Sequence, residues 1–150
     1  VKAFALLTGH PAKLERLPTP LRDLVPDTAR AKRNVYLKDM PAQAVDLLWE
    51  MHRSALRPLH DAGKLGAVHF QFPPWFAHTA ANADYLRRLP HELPEYRVAV
   101  EFRGGGWMDD ADAPKTLALL ERAGLAYVSV DEPQGFRSST APVAAATADL

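Results

Sequence analysis

Glu101 and Arg103 are the residues whose types and spacing are best suited to chemistry. They end the stretch "VAVEFR" and are followed by three glycines and Trp107. In an extended segment alternate side chains share a face, so Glu101 and Arg103 point the same way, about 6 to 7 Å apart along the strand. They either form a structural ion pair or share a ligand. In the second case Arg103 is a fork for a carboxylate or phosphate, and Glu101 is a proton acceptor or hydroxyl clamp. Gly104, Gly105 and Gly106 match neither a Walker loop nor a dinucleotide fingerprint. They are either a flexible turn or a nest of backbone N–H groups for an anion. Trp107 either covers apolar surface or offers a flat platform to a sugar or base.

These residues need elements to position them. Three runs alternate at period two: Leu65 to Phe72, Arg97 to Phe102, and Leu125 to Asp131. Their starts lie about 30 residues apart, enough for a helix and two loops between parallel strands. The intervening segments have helical spacing. Pro41 to about His60 places Ala44, Leu47, Leu48, Met51, Ala55 and Leu59 on one face, with Pro58 breaking the last turn. A second helix runs from about His78 to Leu89, ending at Pro90. A third starts near Asp112 to Pro114 and stops at Gly124. With "VKAF" at the front, four strands are expected. Thr8 to Met40, with four prolines and the basic Arg30, Lys32 and Arg33, reads as a long excursion with one or two helical turns.

Parity then sorts the faces. Val68, Phe70 and Phe72 oppose His69 and Gln71. Val98, Val100 and Phe102 oppose Ala99, Glu101 and Arg103, while Val128 and Val130 oppose Ser129 and Asp131. An antiparallel sheet with one wet face produces such alternation, but helix-length connections favour a parallel sheet covered on both faces. The fold class is α/β. A (β/α)8 barrel, whose inward residues at the C-terminal strand ends line the active site, accounts for the polar ends; a doubly wound sheet is the alternative.

Equal numbers of basic and acidic residues, 18 each, leave no net field toward nucleic acid or an anionic membrane. The absence of cysteine excludes disulfides, thiolate metal sites and a cysteine nucleophile. No apolar run is long enough for a membrane span, and a cytoplasmic location is expected. The chain opens at Val1 and closes on "AAATADL", reading as a single-domain fragment over residues 1–150, so an upstream targeting peptide stays open.

The segments "KLGAVHFQFPPWF", "YRVAVEFRGGGW", "YVSVDEP" and "VKAFALLTGHP" resemble, in order, four motifs of the YecE-like family, also called domain of unknown function 72. The resemblance implies a TIM-like barrel of roughly 240 to 290 residues, of which this chain holds about strands three to six. It maps Lys2, His10, Gln71, Pro74, Glu101, Arg103, Trp107 and Asp131 onto recurrent family positions. Gly104 stands where the family usually has histidine, so any role of that histidine is absent here. The resemblance supplies a fold and a site but no reaction.

The site expected is therefore a barrel mouth that takes a small polar, anionic ligand. Lys2, Gln71, Arg103 and Trp107 are the ligand-binding candidates, and Glu101, Asp131 and His10 the catalytic ones. Lys2 is otherwise a buried carboxylate's partner, His10 an ordinary surface histidine, and His69 a hydrogen-bonded core residue. His10, Glu101 and Asp131 lack the close spacing that favours a divalent metal. As an enzyme the protein would be a hydrolase, lyase or isomerase on a sugar, sugar phosphate or nucleic-acid-derived substrate. The alternative is a non-catalytic nucleic-acid binder in which Arg30, Lys32 and Arg33 meet phosphates and Trp107 stacks on a base.

Overall fold

The computed structural model describes residues 1–104, 106–135, 139–140 and 142–149. The chain divides into two compact units, one comprising Ala3–Lys64 and the other Val1–Lys2 with Leu65–Leu150.

The Ala3–Lys64 unit is helical. Short helices α1 (Thr19–Asp23) and α2 (Asp27–Arg30) each follow a proline, which presets the entry geometry while its missing N–H costs nothing there. A lone antiparallel bridge joins Ala12 to Val35. The long helix α3 (Ala42–Asp61) buries Ala44, Leu48, Trp49, His52 and Leu56. The buried stripe thus follows the i, i+4 row through His52 and Leu56. Ala55 and Leu59, expected on the buried face, are exposed. Pro58 lies inside α3 without ending it, because the carbonyl it leaves without an N–H partner belongs to exposed Ser54 and meets water. The front strand expected from "VKAF" reduces to a single parallel bridge from Lys2 to His69, since Ala5–Thr8 coils into a 3-10 turn closed by Gly9 at φ 76°.

The other unit is a three-stranded parallel sheet with helices between its strands. Its elements run β1 (Val68–Phe72), α4 (Ala80–Glu92), β2 (Val98–Phe102), α5 (Ala113–Arg122) and β3 (Ala126–Tyr127). The strands lie in sequence order, β1-β2-β3. The register pairs His69 with Ala99 and Gln71 with Glu101, then Ala99 with Ala126 and Val100 with Tyr127. Thr79 caps α4 by accepting from the Asn82 amide, and α4 passes through Pro90 rather than stopping before it. Gly124, at φ 65°, turns the chain out of α5.

Side-chain parity decides which face is core. Val68, Phe70 and Phe72 are buried on β1 while His69 and Gln71 are half-buried; on β2 all five residues are buried because that strand has neighbours on both sides. Phe72 stacks on Phe76 and Phe102, and Trp107 stacks on Phe76 and Phe102 in turn. Leu86 and Leu89 of α4 and Leu119 and Leu120 of α5 are buried in the same unit. β3 is far shorter than the expected Leu125 to Asp131. The backbone ladder reaches one step past β3, where the Val128 amide donates to the Val100 carbonyl; Thr147 Oγ1 accepts from the Tyr127 amide and donates to the Leu125 carbonyl, and Ser129 Oγ donates to the Val143 carbonyl.

Candidate functional site

The C-terminal ends of the parallel strands carry a connected set of polar side chains. Lys2 Nζ donates to Gln71 Oε1 at 2.9 Å, and Gln71 Nε2 donates to Glu101 Oε1 at 2.6 Å. Arg103 Nε donates to the same Glu101 oxygen, while its Nη1 donates to Glu132 Oε2 at 2.7 Å. Glu132 Oε1 accepts from the Thr140 amide at 2.8 Å, and the Thr140 hydroxyl accepts from the Gly104 amide and donates to the Phe102 carbonyl. The chain Lys2, Gln71, Glu101, Arg103, Glu132 thus crosses the strand ends with alternating charge or dipole.

Local structure explains each placement. The β1–β2 register puts Gln71 directly opposite Glu101, where parallel neighbours face the same way. The bridge from Lys2 to His69 brings the ammonium alongside Gln71. Arg103 lies one step past the end of β2, its amide still held by the Phe72 carbonyl at 3.0 Å. Glu132 arrives from the loop after β3.

Glu101 is the electrostatic centre. Its burial alone would raise its carboxyl pKa, but the Gln71 hydrogen bond, the Arg103 charge and hydrogen bond, and the nearby His69 together outweigh burial and hold it below the ordinary carboxylate value. The group is therefore ionised at neutral pH and is a weak proton acceptor. His69 Nε2 approaches the other carboxylate oxygen, Oε2, to 2.9 Å, yet it makes no hydrogen bond, so the ring is close but out of line. Tyr127 is buried with its hydroxyl unbonded among the described residues; burial first, and then the Glu101 charge, push its pKa up.

Spare hydrogen-bonding capacity that solvent can reach is mostly donor capacity. Lys2 is exposed and spends one N–H on Gln71; Arg103 is 37% exposed and its Nη2 is unbonded among the described residues. The network's carboxylates are less exposed, the Glu101 side chain at 7% and that of Glu132 at 20%. Such a surface suits a ligand rich in acceptor oxygens. Among the described residues no three His, Asp or Glu side chains gather as a metal-binding group.

The sequence-selected residues are distributed unevenly over this arrangement. Lys2, Gln71, Glu101 and Arg103 come together. Asp131 is exposed and bonds to nothing among the described residues; Glu132, set aside by parity as a loop residue, holds Arg103 instead. The reason is that β3 ends at Tyr127, so strand alternation does not extend to residue 131. Trp107 is fully buried, its Nε1 donating to the Phe76 carbonyl at 2.6 Å, its ring stacked on Phe76 and Phe102 and packed against His78. It is therefore core, and the expectation of a ligand platform is corrected. His10 belongs to the Ala3–Lys64 unit, where its Nδ1 lies 2.8 Å from Thr8 Oγ1. Pro74 is exposed in the turn after β1. Gly104 and Gly106 both adopt φ 81°, and the Gly104 amide is taken by Thr140; Gly105 lies outside the described residues, so the anion-nest reading concerns a loop described only in part.

Sequence reasoning missed Glu132, Thr140 and the proximity of His69 to Glu101. The parity of "VHFQF" does place His69 one inward position before Gln71, but its approach to Glu101 depends on the strand pairing.

Fold and site together define an α/β protein with a parallel sheet flanked by helices and a polar cluster at the C-terminal strand ends. Residues 1–150 match the family model described as protein of unknown function DUF72, and the chain belongs to that family. It is 31% identical over 109 residues to UPF0759 protein YunF of Bacillus subtilis (strain 168), an alignment covering 73% of this chain and 39% of that protein. Among solved structures it is similar to a DUF72 family protein from Thermotoga maritima MSB8, with TM-score 0.60, 29% identity and coverage of 68% and 37% of the two chains. A DUF72 family protein from Enterococcus faecalis V583 gives TM-score 0.64 and 25% identity, with coverage of 67% and 37%. The chain thus spans well under half the length of these relatives. Among the described residues no helix is long and apolar enough to cross a membrane.

Proposed function

We propose that the C-terminal strand ends form the binding site for a small, acceptor-rich ligand of the sugar-phosphate kind, within a protein whose complete fold is a (β/α)8 barrel. The barrel reading is supported by strand order. Residues 1–2, β1, β2 and β3 are parallel neighbours in chain order, without the reversal that marks a doubly wound sheet.

The observation that carries the ligand reading is the single network in which Lys2 and Arg103 keep reachable N–H groups while the Glu101 and Glu132 carboxylates are less exposed. Lys2 and Arg103 balance Glu101 and Glu132 in charge, so recognition rests on directed hydrogen bonds more than on net attraction. Glu101, held ionised, orients Arg103 and Gln71. The enzyme classes that fit are hydrolase, lyase or isomerase. The nucleic-acid alternative has less support: Trp107 is enclosed, Arg30 donates to the Val25 and Arg22 carbonyls, and Lys32 pairs with Asp39 at 2.6 Å.

Calorimetric titration with glucose 6-phosphate, glucose and an oligonucleotide tests the reading. Glucose 6-phosphate should bind more tightly than glucose, and Arg103→Met should weaken it at least about tenfold, the loss of one charged hydrogen bond. Equal affinity of Arg103→Met and the parent chain, or tight binding of the oligonucleotide alone, would contradict it.

A further inference from the structure

We infer that His69 is the proton-transfer residue of this site and that Glu101 is the carboxylate that positions it. The inference rests on the ligand site proposed above and assigns it chemistry.

The two Glu101 oxygens have different neighbours. Oε1 accepts from both Gln71 Nε2 and Arg103 Nε, whereas Oε2 is approached by His69 Nε2 at 2.9 Å. Gln71 and Arg103 therefore lock the carboxylate so that its second oxygen faces the imidazole. Nε2 is buried and unbonded, while Nδ1 is not among the buried unbonded atoms and the side chain is 24% exposed. One ring nitrogen thus lies 2.9 Å from a fixed carboxylate, and the far edge of the partly exposed ring is left for a ligand. That is the arrangement in which a carboxylate sets the tautomer and orientation of an imidazole that works through its far nitrogen.

The charged or titratable groups around the ring are Lys2 at the backbone bridge, Glu101 and Arg103 on and just past β2, and Tyr127 on β3. Lys2, Arg103 and Glu101 are each engaged in the network, which leaves the imidazole as the group placed to pass a proton through its far nitrogen.

In the proton-transfer step the Nδ1 lone pair takes a proton from a ligand hydroxyl. The O–H bonding electrons remain on the ligand oxygen, beside Arg103, and the imidazolium is stabilised by Glu101, which stays ionised throughout. Return of the proton from Nδ1 restores the starting state, so no further reactant is needed.

The test uses the full chain. Nitrogen-15 NMR of the imidazole should show the tautomer protonated on Nε2, and diethyl pyrocarbonate should acylate His69 in competition with the exposed His60 and His91. Glu101→Met should remove the preference for the Nε2-protonated tautomer of His69 while leaving the signals of the other two unchanged, as expected when the carboxylate that orients the ring is lost. Glucose 6-phosphate should protect His69 selectively. A proton on Nδ1 in the parent chain, which requires no variant to fold, overturns the inference; so does a His69 tautomer preference indifferent to Glu101→Met. If tautomer and acylation behave as expected but glucose 6-phosphate neither binds nor protects, the dyad stands and the ligand class fails.

Discussion

Gln71 donates to Glu101 at 2.6 Å across the β1–β2 register, joining two side chains that lie 30 residues apart in sequence. This contact turns a strand-end carboxylate into a fixed acceptor. Its loss should unsettle the whole network, because Gln71 also receives Lys2. Gln71→Leu is expected to lower unfolding stability by about 1.5 to 3 kcal/mol, the range for a hydrogen bond to a charged group, measurable by urea denaturation. A loss below about 0.5 kcal/mol would mean that Glu101 finds equivalent partners in water.

Acid should act through Glu101. Its folded-state pKa lies below the ordinary 4.5, so the unfolded chain binds the proton first as pH falls. The stabilisation is fully present above the unfolded value and is lost as pH drops through the folded one. Urea midpoints measured from pH 7 to pH 3 should therefore fall below about pH 4.5, and Glu101→Gln should flatten that part of the profile. An unchanged acid limb in the variant would assign the effect to other carboxylates.

Trp107 and Trp75 should behave as opposites. Trp107 is fully buried, while Trp75 is 61% exposed. Trp107→Ala is expected to cost about 3 to 5 kcal/mol, and Trp75→Ala less than about 0.5 kcal/mol. In fluorescence, iodide should quench the Trp75 component and spare Trp107. Quenching of both to equal extent would show that the stack with Phe76 and Phe102 opens in solution.

Glu132 and Asp131, adjacent in sequence, should also separate cleanly. Glu132→Gln removes a charge that holds Arg103 and weakens the acceptor of the Thr140 amide; a destabilisation of about 1 to 3 kcal/mol is expected. Asp131→Asn should change stability by less than about 0.5 kcal/mol. Thermal unfolding of the two variants decides the matter, and equal effects would put the two carboxylates on the same footing.

The pairing of Glu101 with Arg103 was legible because it depends only on strand alternation within one segment. The parallel α/β class was legible for a similar reason: helix-length connections constrain how consecutive strands can pair. What lay beyond one segment was harder to read. Gln71 meets Glu101, and His69 approaches it, only through a register that sequence does not print. Asp131 was favoured over Glu132 because alternation was extended to residue 131, well past Tyr127, where β3 ends and the Ser129 side chain bonds to the Val143 carbonyl. Trp107 illustrates a different limit. A tryptophan beside a glycine run serves equally as platform or core, and rings from Phe76 and Phe102 decide which.

The central claim is that side chains from separate parallel strands converge on one ligand. Amide chemical-shift mapping of the full chain during a glucose 6-phosphate titration tests it most directly. The account predicts saturable shifts concentrated at Lys2, Gln71, Arg103 and Glu132, with the half-saturating concentration raised at least about tenfold in Arg103→Met. Shifts confined to other surfaces, or shifts at these residues that saturate at the same concentration in Arg103→Met, would contradict it.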